Sequence, residues 1–221
     1  MTEVRPMTLV TYDWVPEFPR GFVRDIRVRW AAEEAGLPYR VETVPLREKT
    51  EAHRAMQPFR QVPILKDGGL TLFESGAILW YLGEKSEALL PREPGGRAAA
   101  IQWLVAGLNS VEPMTMAWLL AKVFDRNPEQ AEVAAQRMNA RLAGLSAELE
   151  GRAFLAAGRL TVADILMADV LRTVEAQGGL EGFPALSDYV ARLTARPAFR
   201  KAHADQMAHW AAADAREAAE V

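Results

Sequence analysis

The 221-residue sequence contains no cysteine. Disulfides, thiolate metal sites, iron–sulfur clusters and a cysteine nucleophile are therefore excluded, and any thiol chemistry needs a sulfur brought in by a ligand. A basic excess is missing too: 26 Lys and Arg stand against 29 Asp and Glu, a net charge of −3, which leaves nothing suited to tracking nucleic-acid phosphates. The three histidines include no pair at metal-ligand spacing, so a metal site has little support. Gly95-Gly96 and Gly178-Gly179 lack the flanks of a phosphate-binding loop. No apolar run approaches the roughly 18–20 residues of a spanning helix, and residues 1–7 carry no basic-then-apolar leader, so the expectation is a cytoplasmic protein with no membrane partner. What remains is a balanced composition, 50% hydrophobic and 25% charged, able to build a core.

The hydrophobic pattern changes character near Pro91. Before it, short β-type runs at 8–12, 41–44, 62–66 and 70–73 alternate with helical spacing. Phe22, Ile26 and Trp30 mark a helix that starts near Pro19 and stops at Gly36, giving a β-α-β unit. Asp67-Gly68-Gly69 between two strands signals a hairpin, because Gly accepts the positive dihedrals of a tight turn, and Ser75 is placed to cap the helix that follows. Beyond Pro91, residues 97–124, 129–149, 162–177 and 186–209 show apolar recurrence at three- and four-residue intervals, which predicts a helical bundle. The reading is an α/β first domain over 1–90, a linker at 91–96 and an all-α second domain over 97–221, with the Ala-rich tail 211–221 frayed. Thr161 and Asp164 have the spacing of a structural capping box.

The string Gln61-Val62-Pro63-Ile64-Leu65, the Asp67-Gly68-Gly69 turn and Phe73-Glu74-Ser75-Gly76-Ala77-Ile78 resemble the glutathione-binding half of soluble glutathione transferases. Glu33-Glu34-Ala35-Gly36-Leu37-Pro38-Tyr39 and Leu160-Thr161-Val162-Ala163-Asp164 extend the resemblance over most of the chain. It implies a thioredoxin-like domain followed by a helical domain, a homodimer, and glutathione as co-substrate.

Each element of the motif has a physical reading. A cis bond before Pro63 would turn the N–H and C=O of Val62 outward, as a strand offers them to a peptide. Ser75, where a strand becomes a helix, suits a carboxylate, and Glu74 beside it suits an ammonium; together they describe the γ-glutamyl end of glutathione. Arg47, Lys49 and His53 are three open candidates for the cation that would meet the glycine carboxylate.

A free thiol with a pKa near 8.5 is only a few per cent thiolate at neutral pH, so a transferase has to stabilise the anion. Aligning Arg27-Val28-Arg29 with the Ser-type and isomerase-type classes puts Phe22, Val23 and Arg24 where those classes carry Ser-Ser-Cys, and no hydroxyl is there. Tyr12 at the end of the first strand is the best remaining hydroxyl. Arg24, on a helix face shared with Arg20 and Arg27, is the rival, with Arg27 and Arg29 read as solvated or ion-paired. The electrophile pocket is expected between the domains, with Trp14, Phe18, Met114 and Trp118 as candidates. The expected activity is glutathione transfer to a small hydrophobic electrophile in detoxification. The alternative is a non-catalytic ligand-binding or protein-interaction module, suggested by the missing Ser or Cys and by Arg60, where the family more often has Gly.

Overall fold

The computed structural model describes residues 6–219. By packing, the chain forms two units: one takes the residues up to Ser86 and those from Arg196 onward, the other Glu87–Ala195.

The first unit is built on four strands, β1 (Met7–Tyr12), β2 (Tyr39–Val44), β3 (Ile64–Asp67) and β4 (Leu70–Phe73), in the order β2-β1-β3-β4. β1 is central and buried through Thr11, which suits its run of apolar and β-branched residues. β1 and β2 are parallel, and the crossover such a pair requires is α1 (Asp25–Ala35), closed by Gly36 in the left-handed conformation at φ 63°. β3 runs antiparallel to both β1 and β4, and the hairpin turn holds Gly68 at φ 59°. A short α2 (Glu51–Met56) precedes β3, with Thr50 accepting from the His53 N–H, and α3 (Ser75–Lys85) follows β4. This is the thioredoxin-like arrangement that the resemblance implies, with the β-α-β unit followed by a hairpin and a helix.

Three local expectations change. α1 begins at Asp25 rather than near Pro19, because residues 17–22 form turns around Gly21 at φ 81°. The N-cap of α3 is Glu74, not Ser75; Ser75 is the first helical residue and its oxygen is occupied by a side chain described below. The Ala-rich tail is not frayed over its described length: α9 (Pro197–Ala219) is helical throughout and packs on α1 of the first unit. Residues 220–221 lie outside the described residues.

The second unit contains α4 (Pro94–Ala106), α5 (Glu112–Leu119), α6 (Pro128–Leu149), α7 (Val162–Glu175) and α8 (Pro184–Thr194). Residues 94–96 of the expected linker already form the first turn of α4, with Glu93 accepting from the N–H groups of Gly95 and Gly96. The helix expected over 97–124 is interrupted by two wide turns, Gly107–Val111 and Leu120–Phe124. Pro113 has no N–H for the regular ladder, and the first wide turn absorbs that loss. α7 is buried nearly end to end, and Asp164 at its start accepts from the N–H groups of Leu155 and Thr161 and from the hydroxyls of Thr161 and Tyr189. Among the described residues, no helix is long and apolar enough to cross a membrane.

Candidate functional site

The sheet register brings the candidate residues to one edge. Val10, Ile64 and Phe73 form a row across β1, β3 and β4, and two residues beyond that row at the same end of the sheet lie Tyr12, Val62 and Ser75, Val62 preceding Ile64 because β3 is antiparallel. Tyr12 and Val62 pack on the same small cluster of Val10, Val44 and Ile64.

The peptide bond between Val62 and Pro63 is cis. Among the described residues, none forms a hydrogen bond with the Val62 N–H or C=O, so this strand-like edge is open to a ligand backbone. The residue before it is held at both ends by α2 and its cap. Buried Gln57 accepts the Gln61 N–H on Oε1 at 3.2 Å, and fully buried His53 donates from Nε2 to the Gln61 C=O at 3.0 Å. Gln57, at the end of α2, thus reaches the main chain with its side-chain amide. His53, one of three candidate cations in the sequence, is thus a buried support of the loop.

Glu74 is exposed and has a backbone rarely adopted by an L side chain, φ 67° and ψ 116°, a cost of about 1–3 kcal/mol. That conformation turns the chain from β4 into α3, whose first N–H groups have no acceptor within the helix. Ser75 at this N-terminus is buried, and its Oγ accepts from Arg27 Nη1 at 3.1 Å. A hydroxyl, free helix N–H groups and a guanidinium behind them favour an anion, and the Glu74 carboxylate beside them favours a cation.

Tyr12 is half-buried, and burial pushes its phenol above the ordinary tyrosine value, so at neutral pH it is a protonated donor. Its hydroxyl reaches the Arg60 C=O at a long 3.4 Å and has the Lys49 ammonium 3.5 Å away. Lys49 itself donates to the Arg60 C=O at 2.8 Å. Arg60 is left-handed, φ 54°, which gives the physical reason why Gly is commoner there. Arg47 stacks on Trp14 instead, 4.6 Å from the ring centroid.

The shared arginine face does not form. Arg20 precedes α1 and bonds Val15 and Asp214; Arg24 occupies the N-cap position of α1; Arg27 and Arg29 are buried, the latter paired with Asp25 at 2.7 Å. The reading of Arg27 as a solvated residue is therefore corrected by its contact with Ser75, while ion pairing holds for Arg29. Of the pocket candidates, Trp118 is core, packed closely on Gly179, and Phe18 is exposed. Met114 lines an open groove of about 580 Å³ along α5 and α6.

Residues 26–85 match the model of the glutathione S-transferase N-terminal domain, and residues 111–197 that of the C-terminal domain. The chain is 31% identical over 193 residues to glutathione S-transferase 4 of Zea mays, a match covering 79% of this chain and 85% of the relative. A solved structure of a glutathione transferase family member from Pseudomonas fluorescens, with two glutathione bound, superposes with a TM-score of 0.78 at 26% identity, covering 92% of this chain and 94% of that one. The nitrogen regulation fragment of the yeast prion protein Ure2p superposes equally well, TM-score 0.78 over 92% and 98% of the two chains. At 20% identity, that likeness concerns the fold alone.

Proposed function

The chain belongs to the glutathione S-transferase family, and on that premise we propose that it binds glutathione at the Tyr12–Val62–Ser75 edge and activates its thiol. The observation that carries this reading is the open Val62 main chain, which lies two residues from the Ile64–Phe73 pair at the same end of the sheet as the Ser75 helix start. The peptide backbone of glutathione pairs with Val62, next to Gln61 and Pro63; its γ-glutamyl carboxylate lies on Ser75 and its ammonium on Glu74. Lys49, rather than Arg47 or His53, takes the glycine carboxylate. The Tyr12 hydroxyl leaves its long bond to Arg60 and donates to the sulfur, lowering the thiol pKa. The thiol proton passes to solvent, the thiolate attacks an electrophilic carbon, the C–S bond forms, and the leaving group departs with its electron pair. A small hydrophobic electrophile, a detoxifying role in the cytoplasm and a homodimer near twice the 24.4 kDa chain mass by sedimentation belong to the same proposal.

The second reading is a non-catalytic module with the same fold, acting in ligand binding or protein interaction. It is favoured by the engagement of Tyr12 and Lys49 with the Arg60 C=O and by the absence of any hydroxyl at residues 22–24. Retention on immobilised glutathione followed by turnover of a generic aryl halide separates the two. Retention with turnover supports the enzyme, retention without it supports the module, and no retention overturns the glutathione site.

A further inference from the structure

The loop between β1 and α1, residues 13–24, has neither helix nor strand, yet it follows directly from Tyr12. Connections of about 12 residues without their own secondary structure are uncommon in compact domains. Something outside the loop has to fix its path.

One face of α9 does so. Gln206, His209, Trp210, Ala213 and Asp214 recur at three- and four-residue spacing, and Gln206 and Trp210 are fully buried. Gln206 Nε2 donates to the Val23 C=O at 3.0 Å and to Asp25 Oδ1 at 2.6 Å, at the far end of the loop. His209 Nε2 donates to the Tyr12 C=O at 2.9 Å, at the near end. Between them, the Asp214 carboxylate accepts from Trp14 Nε1 at 3.0 Å and from both terminal nitrogens of Arg20 at 2.5 and 2.7 Å. Arg20 also donates to the Val15 C=O, which extends the hold to the loop backbone. The contacts made by α9 join residues 181 to 200 positions apart in sequence.

From this we infer that α9 is a brace for the thiol-activating loop, with His209 and Asp214 as positioning residues that set the direction of the Tyr12 hydroxyl. The inference rests on the proposed role of Tyr12. A hydrogen-bond donor stabilises an anion only when held close to its productive geometry, and a displacement of about 1 Å costs up to about a hundredfold in rate. His209 acts on the carbonyl of Tyr12 itself. Asp214 acts two residues away, by tying Trp14 to Arg20. Neither touches the Val62 or Ser75 end of the site, so glutathione affinity and thiol activation are expected to separate.

The experiment titrates the bound glutathione thiol by its ultraviolet absorbance and measures the dissociation constant by calorimetry in Tyr12→Phe, His209→Ala, His209→Gln, Asp214→Asn and the double variant Tyr12→Phe/His209→Ala. His209→Ala and Asp214→Asn should raise the thiol pKa by roughly half a unit to one unit and slow turnover by about threefold to tenfold. The dissociation constant should change by less than about twofold in both variants, set against the roughly tenfold loss expected where a charge-assisted contact to the ligand is removed. His209→Gln, which keeps a donor for the Tyr12 C=O, should restore the wild-type titration. In the Tyr12→Phe background, His209→Ala should add no further shift, because its effect passes through the missing hydroxyl. If Tyr12→Phe leaves the titration unchanged, the reading of Tyr12 fails and the brace has nothing to position. If Tyr12→Phe shifts it but His209→Ala and Asp214→Asn do not, or if the shifts add in the double variant, the brace is overturned while Tyr12 stands. Should His209→Ala fail to fold, Asp214→Asn at a side chain 48% exposed decides the matter.

Discussion

Arg27 and Ser75, 48 residues apart, meet in a buried hydrogen bond in which the guanidinium donates from Nη1 to the serine oxygen at 3.1 Å. With one lone pair occupied from behind, the serine hydroxyl is left to donate to the same anion that the open N–H groups of α3 would face. A carboxylate there receives a hydroxyl polarised by a buried cation. Ser75→Ala should therefore raise the glutathione dissociation constant about tenfold to a hundredfold, the range for a charge-assisted bond of roughly 1.5–3 kcal/mol. Calorimetry giving an unchanged constant would remove Ser75 from the site.

The geometry ranks the three candidate cations. Lys49 faces the Tyr12 hydroxyl and the Arg60 carbonyl, Arg47 faces Trp14, and His53 is buried under Gln61. Lys49→Met should weaken binding by about threefold to tenfold, with the loss shrinking as salt is raised, because the ammonium is exposed. Arg47→Met should leave affinity within about twofold. The reverse order in a salt series of binding measurements would assign the glycine carboxylate to Arg47.

Much of this site is legible in the sequence because it is local. Val62-Pro63 and Glu74-Ser75 lie within short strings, and the glycines at 36 and 68 sit where the backbone is left-handed. The start of α1 is not legible, since Phe22, Ile26 and Trp30 keep helical spacing through turns that only Gly21 betrays. The burial of Arg27 depends on a partner 48 residues away. The role of α9 is hidden for the same reason: its contacts with the loop are polar and distant, and Asp214 lies in the Ala-rich tail. His53 and Gln57 reveal themselves only once the chain has folded back on Gln61.

Asp164 tests the helical unit. Its carboxylate satisfies two buried N–H groups and two hydroxyls. Asp164→Ala leaves those donors buried without an acceptor and should cost about 3 kcal/mol or more, well above the roughly 1 kcal/mol of an exposed cap. Chemical denaturation showing a loss under about 1 kcal/mol would contradict this assignment.

The brace has a pH signature. Hydrogen bonds from Arg20, then Trp14, hold the Asp214 carboxyl down at about 2, below an ordinary aspartate near 3.9. A depressed folded value contributes stability that is fully present above the unfolded pKa and is lost as pH falls through the folded one. The difference in melting temperature between wild type and Asp214→Asn should therefore hold from pH 7 to about 5 and shrink below about 4. A difference that grows on acidification would show that the carboxylate is not the stabilised form.

The most direct measurement is the titration of glutathione bound to the wild-type protein, followed through the absorbance of its thiolate and repeated in Tyr12→Phe. A thiol near 8.5 in water should ionise at least about one unit lower on the protein, and the Tyr12→Phe curve should move back toward the free value at unchanged affinity. Bound glutathione that ionises like the free thiol, or curves that coincide in the two proteins, would contradict the account: in the first case the chain binds without activating, and in the second another group holds the sulfur.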